Sequence, residues 1–300
     1  MIIVGVDGSR AALEATGWAA REAALRGAAL TVTHALPRWA ADTADGRYAD
    51  TADGRYADTA DGRYADVAAW MRRGGLDLLA IAEDRARREH HDLKIDSALV
   101  PGDPRAALIR AAQDAELLVI GSHGIGGVRG LLVGSVAFGV AGHVPCDVAV
   151  VHALPSLPRG EIVAGVDGSP NSARVLAFAF AEAALRGTVL RAVHAWSWPH
   201  ASGYEAAGPE DERDRLVLLK ELLAGHRERH PDVPVVADVV HGHPVAVLRE
   251  AAAGADLLVV GSHGHGTFAG MVLGSISQAL LHESPCPLVV TRREPAGDEG

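Results

Sequence analysis

Leu117-Leu118-Val119-Ile120-Gly121-Ser122-His123-Gly124, followed nine residues later by Gly134-Ser135-Val136, is the stretch that decides the fold. A short, wholly apolar run suits a strand covered on both faces. The glycines after it break the strand into a turn, and Gly134-Ser135 opens a helical pattern. The whole arrangement returns as Leu257-Leu258-Val259-Val260-Gly261-Ser262-His263-Gly264, nine residues, and Gly274-Ser275-Ile276. A strand, glycine loop and helix appearing twice at fixed spacing points to a duplicated α/β unit.

The duplication extends in both directions. Gly5-Val6-Asp7-Gly8-Ser9 recurs as Gly165-Val166-Asp167-Gly168-Ser169, and the Glu22–Gly27 segment recurs as Glu182–Gly187, both at an offset of 160. Around the glycine loops the offset falls to 140, so the first copy carries 20 additional residues. Most of them are visible as Thr-Ala-Asp-Gly-Arg-Tyr-Ala-Asp, repeated at 43–50, 51–58 and 59–66. The octad has no sustained apolar face and a Gly in each unit, so a flexible loop is the expectation, ahead of a structured interaction arm. Calcium binding by its Asp residues is a third alternative, although the spacing matches no standard calcium loop. The copies are expected at 1–152 and 161–292, joined by a Pro-containing linker at 153–160 short enough to keep them packed together.

Each copy alternates β-branched runs with Ala/Leu-rich helical patterns. Strands are expected near 2–6, 29–35, 93–99, 116–120 and 147–152, then near 161–166, 189–195, 234–240, 256–260 and 287–291. Ser9 and Ser169 stand where N-caps belong, with Pro170 in the first helical turn. Gly27 and Gly187 suit left-handed C-caps, and further helices begin near Pro104 and Pro244. The expectation is two Rossmann-like (flavodoxin-like) α/β domains, each with five parallel strands and helices on both faces. Ligands of such sheets bind beyond the carboxyl ends of the strands.

The bulk numbers narrow the function. A formal charge of −10 does not fit a nucleic-acid binder. The chain opens without a basic segment, and no run approaches the roughly 18–20 apolar residues of a membrane span, so a soluble, cytoplasmic protein is expected. Cys146 and Cys286 occupy matching places after a Pro and are read as small buried residues rather than a redox pair. Among fifteen histidines the pairs His241/His243 and His263/His265 have no partners at metal-site spacing, so no metal ligands are assigned. His34 and His194 are read as strand-end packing residues.

The glycine loops carry the chemistry. Glycine lets backbone approach a polyphosphate, the helix that follows offers unpaired N–H groups, and the serine adds a hydroxyl donor. No Gly-Lys-Ser/Thr follows, so this is not a Walker loop. Asp7 and Asp167 end the first strand of each copy beside the same crevice, where a carboxylate can accept ribose hydroxyls; capping of the following turn is the compatible structural role.

The pattern Gly-x2-Gly-x9-Gly-Ser behind a strand ending Val-Asp-Gly-Ser resembles the universal stress protein family. Val100-Pro101-Gly102-Asp103-Pro104 and Val240-His241-Gly242-His243-Pro244 fit the same family. The resemblance covers nearly the whole chain apart from the octads, linker and tail. It implies a tandem member of the ATP-binding branch with strand order 3-2-1-4-5 and last strands that pair between domains, so that the two halves form an internal pseudo-dimer. Carried over by position, Asp7 and Asp167 contact ribose, and Ala35 and Ala195 offer backbone to adenine. Gly121, Gly124, Gly134, Ser135 and Val136 hold phosphates in the first copy, as do Gly261, Gly264, Gly274, Ser275 and Ile276 in the second. Mg²⁺ rides on the phosphates, and a regulatory protein partner and further homo-oligomerisation are implied. The octads close behind the first adenine strand depart from the pattern and favour the second site.

Phosphoryl transfer also needs a base or water-orienting group. Arg129, replaced by Ala269 in the second copy, is the sole candidate for neutralising charge, and no carboxylate is placed as a base. No catalytic residue is assigned, and at most slow ATP hydrolysis is expected. Two other readings stay open: an adenine-nucleotide α-hydrolase-like enzyme, and a scaffold that has lost nucleotide binding.

Overall fold

The computed structural model describes residues 1–41, 62–124, 134–152, 154–155, 157–197, 209–264 and 273–292. Their contacts divide into two compact units. The first takes in the described residues up to 124 with 134–140 and 144–146, and the second takes in 141–143 and the described residues from Asp147 onward.

In the first unit the elements are β1 (Ile2–Gly5), α1 (Arg10–Arg26), β2 (Leu30–Leu36), α2 (Arg38–Ala41), α3 (Gly62–Glu89), β3 (Ile95–Pro101), α4 (Pro104–Ala111), β4 (Leu117–Gly121) and α5 (Ser135–Ala141). The strands lie in the order β3-β2-β1-β4, all parallel. Ile2, Ile3 and Val4 of β1 and Leu117 to Ile120 of β4 are buried throughout, as the unbroken apolar runs require. α1 begins where Ser9 accepts a hydrogen bond from the Ala12 amide (3.1 Å) and ends at Gly27, whose φ of 61° is the left-handed conformation that favours glycine. α4 starts at Pro104, capped by Asp103.

The second unit contains β5 (Asp147–Val151), β6 (Glu161–Gly165), α6 (Ser172–Arg186), β7 (Val189–Trp196), α7 (Pro209–Arg229), β8 (Val235–His241), α8 (Pro244–Ala251), β9 (Leu257–Gly261), α9 (Ser275–Glu283) and β10 (Leu288–Thr291). Its order is β5-β10-β9-β6-β7-β8. Numbered within the copy, β8-β7-β6-β9-β10 is 3-2-1-4-5, and these five strands are parallel. Among the described residues no helix is long and apolar enough to cross a membrane.

β5, the last strand of the first copy, groups by its contacts with the second unit and runs antiparallel to β10, with Ala149 opposite Val289, the pairing of last strands that the resemblance implies. It is anchored there by Asp147, which is buried and takes two bonds from Arg174 of α6 (3.1 and 3.0 Å) and one from the Arg292 amide (2.8 Å). A fully apolar strand carries no mark of which neighbour it pairs with. Two expectations need correction. Ser169 does not cap α6: the helix begins at Ser172 with Asn171 at the N-cap, and Pro170 precedes the first turn instead of lying in it. Finally, α3 starts at Gly62, so the end of the third octad is helical rather than loop. A long helical run beyond Asp66 lets the helix propagate backwards through residues that could not nucleate one. Residues 42–61 lie outside the described residues.

Candidate functional site

Both units bring the acidic residue after the first strand against the glycine loop after the fourth. Asp7 is held by the Ser9 amide on Oδ1 (2.9 Å), and its Oδ2 faces Gly124, where an added Cβ would lie 2.5 Å from that oxygen. Asp167 repeats this with the Ser169 amide (2.9 Å), and a Cβ at Gly264 would lie 2.2 Å from Oδ2. Any side chain at either glycine must displace the carboxylate, so the two motifs are coupled through one contact.

The ends of each nine-residue loop are tied together. The Gly134 amide donates to the Ser122 carbonyl, and the Gly274 amide to the Ser262 carbonyl, each at 2.7 Å. Ser135 and Val136 then open α5, and Ser275 and Ile276 open α9, whose Gly274 N-cap offers no side-chain hydrogen bond. Gly121 has a packing task as well. A Cβ there would lie 2.7 Å from the Ala11 carbonyl carbon and 2.9 Å from the Ala12 nitrogen, so it admits the backbone of α1. At Gly261 the nearest obstacle is instead the Asn171 side-chain amide, at 2.3 Å.

Ala35 and Ala195 lie near the ends of β2 and β7, opposite Val100 and Val240. The histidines before them bridge strands: His34 Nδ1 meets the Val6 carbonyl at 2.7 Å and His194 Nδ1 meets the Val166 carbonyl at 3.0 Å. Since a carbonyl only accepts, Nδ1 carries the proton in both rings. Their expected packing role is therefore a polar one, fixing the crevice wall.

In the second unit a cavity of about 440 Å³ is lined by Asp167, Ala195, Gly261, Gly264, Gly274, Ser275 and Ile276, all seven residues expected of that copy. In the first, Ala35 lines a smaller cavity of about 310 Å³ with Pro37, Arg38, Gly102, Asp103 and Pro104. α3 presses on the first copy's crevice: a Cβ at Gly8 would lie 2.7 Å from Leu78 Cδ2. Arg129, Ala269 and His265 lie outside the described residues. Among the described residues no group of three or more His, Cys, Asp or Glu could hold a metal ion.

Sequence reasoning passed over three polar residues lining the second cavity, Asn171, Ser172 and Ser277. Ser172 Oγ donates to Asp167 Oδ1 (3.0 Å) and accepts from the Gly168 amide (3.1 Å), bracing the carboxylate. Ser277 Oγ donates to the Ser262 carbonyl (3.1 Å), reinforcing the loop closure. At the corresponding positions the first copy has Ala11, Ala12 and Ala137, and comparing the copies for alanine-to-polar changes would have found all three.

Cys146 and Cys286 are both buried free thiols. Burial pushes the Cys286 thiol up to about 12, so it stays protonated and unreactive at neutral pH.

Known proteins share this organisation. The universal stress protein family model matches residues 1–152 and again 159–292. Universal stress protein Rv2005c of Mycobacterium tuberculosis is 35% identical over 302 residues, covering 97% of either chain. Universal stress protein Rv2623 of the same organism is 33% identical over 300 residues, covering 97% of this chain and 96% of its own. The crystal structure of a universal stress protein from Archaeoglobus fulgidus DSM 4304 shares the fold, with a TM-score of 0.67, 20% identity and 98% of both chains covered. Matched by the family model in both copies, and by relatives along nearly their whole length, the chain belongs to the universal stress protein family.

Proposed function

We propose that the chain is an ATP-binding stress-response module with one nucleotide site in each copy. The observation that carries this reading is the cavity of the second unit, which collects a carboxylate, a backbone-lined strand end and a glycine loop leading into a helix. Its volume of about 440 Å³ falls within the ordinary range for small-molecule sites, about 300–1,000 Å³. The uncapped start of α9 leaves amides for phosphate oxygens. Asp167 is braced as a hydrogen-bond acceptor, suited to ribose hydroxyls, and Ala195 offers backbone to adenine. Asp7, Ala35, Gly124, Gly134, Ser135 and Val136 take the corresponding parts in the first copy. Mg²⁺ accompanies the triphosphate and offsets its charge. Nucleotide occupancy alters the surface presented to a regulatory protein partner, in the cytoplasm, with hydrolysis slow at most.

Equilibrium dialysis with Mg²⁺ and ATP tests this reading. A dissociation constant in the micromolar range, about −8 kcal/mol, is expected. Gly264→Ala should weaken one site at least about tenfold, because its Cβ evicts the Asp167 carboxylate. Binding equal to that of the natural chain would remove the site assignment. Release of pyrophosphate in step with uptake would shift the reading to an enzyme.

A further inference from the structure

The serine after Asp-Gly has a different fate in each copy. Ser9 Oγ is fully engaged: it accepts from the Ala12 amide (3.1 Å) and donates to the His123 carbonyl (3.3 Å). Both partners are reassigned in the second copy. The Ser172 amide, equivalent to that of Ala12, donates to the Ser169 backbone carbonyl (2.9 Å). The His263 carbonyl, equivalent to that of His123, receives the Asn171 side-chain amide (3.2 Å). Asn171 replaces an alanine, and it takes over the contact with the loop.

Ser169 is thereby released. Its residue surface is 7% exposed, and among the described residues its hydroxyl has no hydrogen-bond partner. It lines the cavity that also contains Asp167, Gly264 and Ser275. Leaving a buried hydroxyl unpaired is unfavourable, and such a group in a binding cavity finds its partner in the ligand.

We propose that Ser169 is a ligand-contacting residue of the second site, its hydroxyl bonding to an oxygen in the sugar–phosphate part of the bound nucleotide, a contact that the capped Ser9 does not make. The inference rests on the ATP-binding reading and adds to it a functional inequality between the copies. One neutral hydrogen bond corresponds to roughly a three- to tenfold change in affinity, and one to a charged phosphate to more.

Calorimetric titration of the whole chain tests it, with Ser169→Ala beside Ser9→Ala and the natural chain, using Mg²⁺–ATP and then adenosine. Ser169→Ala should weaken one site by at least about threefold and leave the melting temperature of the ligand-free chain unchanged or raised, because no protein bond is lost. A loss for both ligands places the contact on the ribose, and a loss for ATP alone places it on phosphate; either supports the proposal. In a Gly264→Ala background, the Ser169→Ala effect should shrink, as coupled contacts to one ligand do. If the natural chain binds ATP and Ser169→Ala binds both ligands equally well, Ser169 has no ligand role. A lower melting temperature for ligand-free Ser169→Ala would overturn the proposal by revealing a structural partner. A natural chain that takes up no ATP would overturn the underlying reading, and this one with it.

Discussion

The two copies hold the same helix against the same neighbour by different physics. In the first unit α3 is pinned at its end by charge: Glu89 accepts from Arg21 of α1 (2.7 Å) and from Arg85 of its own helix. In the second, the place of Ala20 on α1 is taken by Phe180 on α6, fully buried and stacked on His226 of α7 (5.4 Å) and on His230 just beyond its end (5.7 Å). The position matching Glu89 is Arg229, whose guanidinium donates to His226 Nδ1 (3.2 Å). A duplicated domain thus keeps its backbone plan while replacing the chemistry of a helix–helix contact. The crevices follow the same rule, with alanines in one and Asn171, Ser172 and Ser277 in the other.

Converting Phe180 to the alanine of the first copy tests this contrast most severely. Arg21 and Glu89 have no counterparts to take over in the second unit, so Phe180→Ala leaves a cavity and two unstacked imidazoles. A loss of about 3–5 kcal/mol is expected in denaturant unfolding. A loss below about 1 kcal/mol would mean that the stack is incidental to the docking of α7.

A smaller effect separates the two loop glycines. Gly121→Ala drives a methyl into the backbone of α1, whereas Gly261→Ala collides chiefly with the end of the Asn171 side chain, which can turn away, and approaches main chain only at the His263 carbonyl, 3.2 Å off. The first should cost about 1–3 kcal/mol of stability and the second clearly less. Equal losses would show that Asn171 is as immovable as main chain. The comparison also makes Gly264 the better handle for binding, since substitution at Gly121 damages the fold before it reports on a ligand.

Much of this was legible in advance because local chemistry dictated it. The Gly27 and Gly187 C-caps, both at φ 61°, follow from the end of an Ala/Leu helix at a residue without a Cβ. The loop glycines and Asp167 meet because the carboxyl ends of neighbouring parallel strands bring them together. What escaped depended on competition or on distant partners. Ser169 has the right type for an N-cap, but Pro170 and Asn171 follow it: Asn171 takes the loop contact that Ser9 makes, and the Ser172 amide turns to the Ser169 backbone carbonyl. The apolar run of β5 says only that the strand is buried; its pairing with β10 was implied by the family resemblance and not by the run itself. The role of Gly121 in admitting α1 needed the helix in place before it could be seen.

Acid separates the copies by the subtlest effect. His226 is held below the ordinary histidine value of about 6.5, by burial first and then by the positive charges of Arg229 and His230. A depressed folded value means that the unfolded chain takes the proton first. The stabilisation is therefore complete above about pH 6.5 and is lost as pH falls through the folded value. Protonation also destroys the acceptor that Arg229 uses, since imidazolium has none. In the first unit Ala86 stands at the matching position and cannot respond. Glu89 there responds later: burial alone would raise its value, but the bonds from Arg21 and Arg85 outweigh burial and hold it below the usual carboxylate range. That contribution is present above about pH 4.5 and fades below it. Hydrogen exchange, corrected for intrinsic rates, should show α7 losing protection below about pH 6.5 while α3 keeps its protection until below about pH 4.5. His226→Gln should remove the earlier loosening and leave the later one. If both helices loosen together, their docking is not governed by the residues at these contacts.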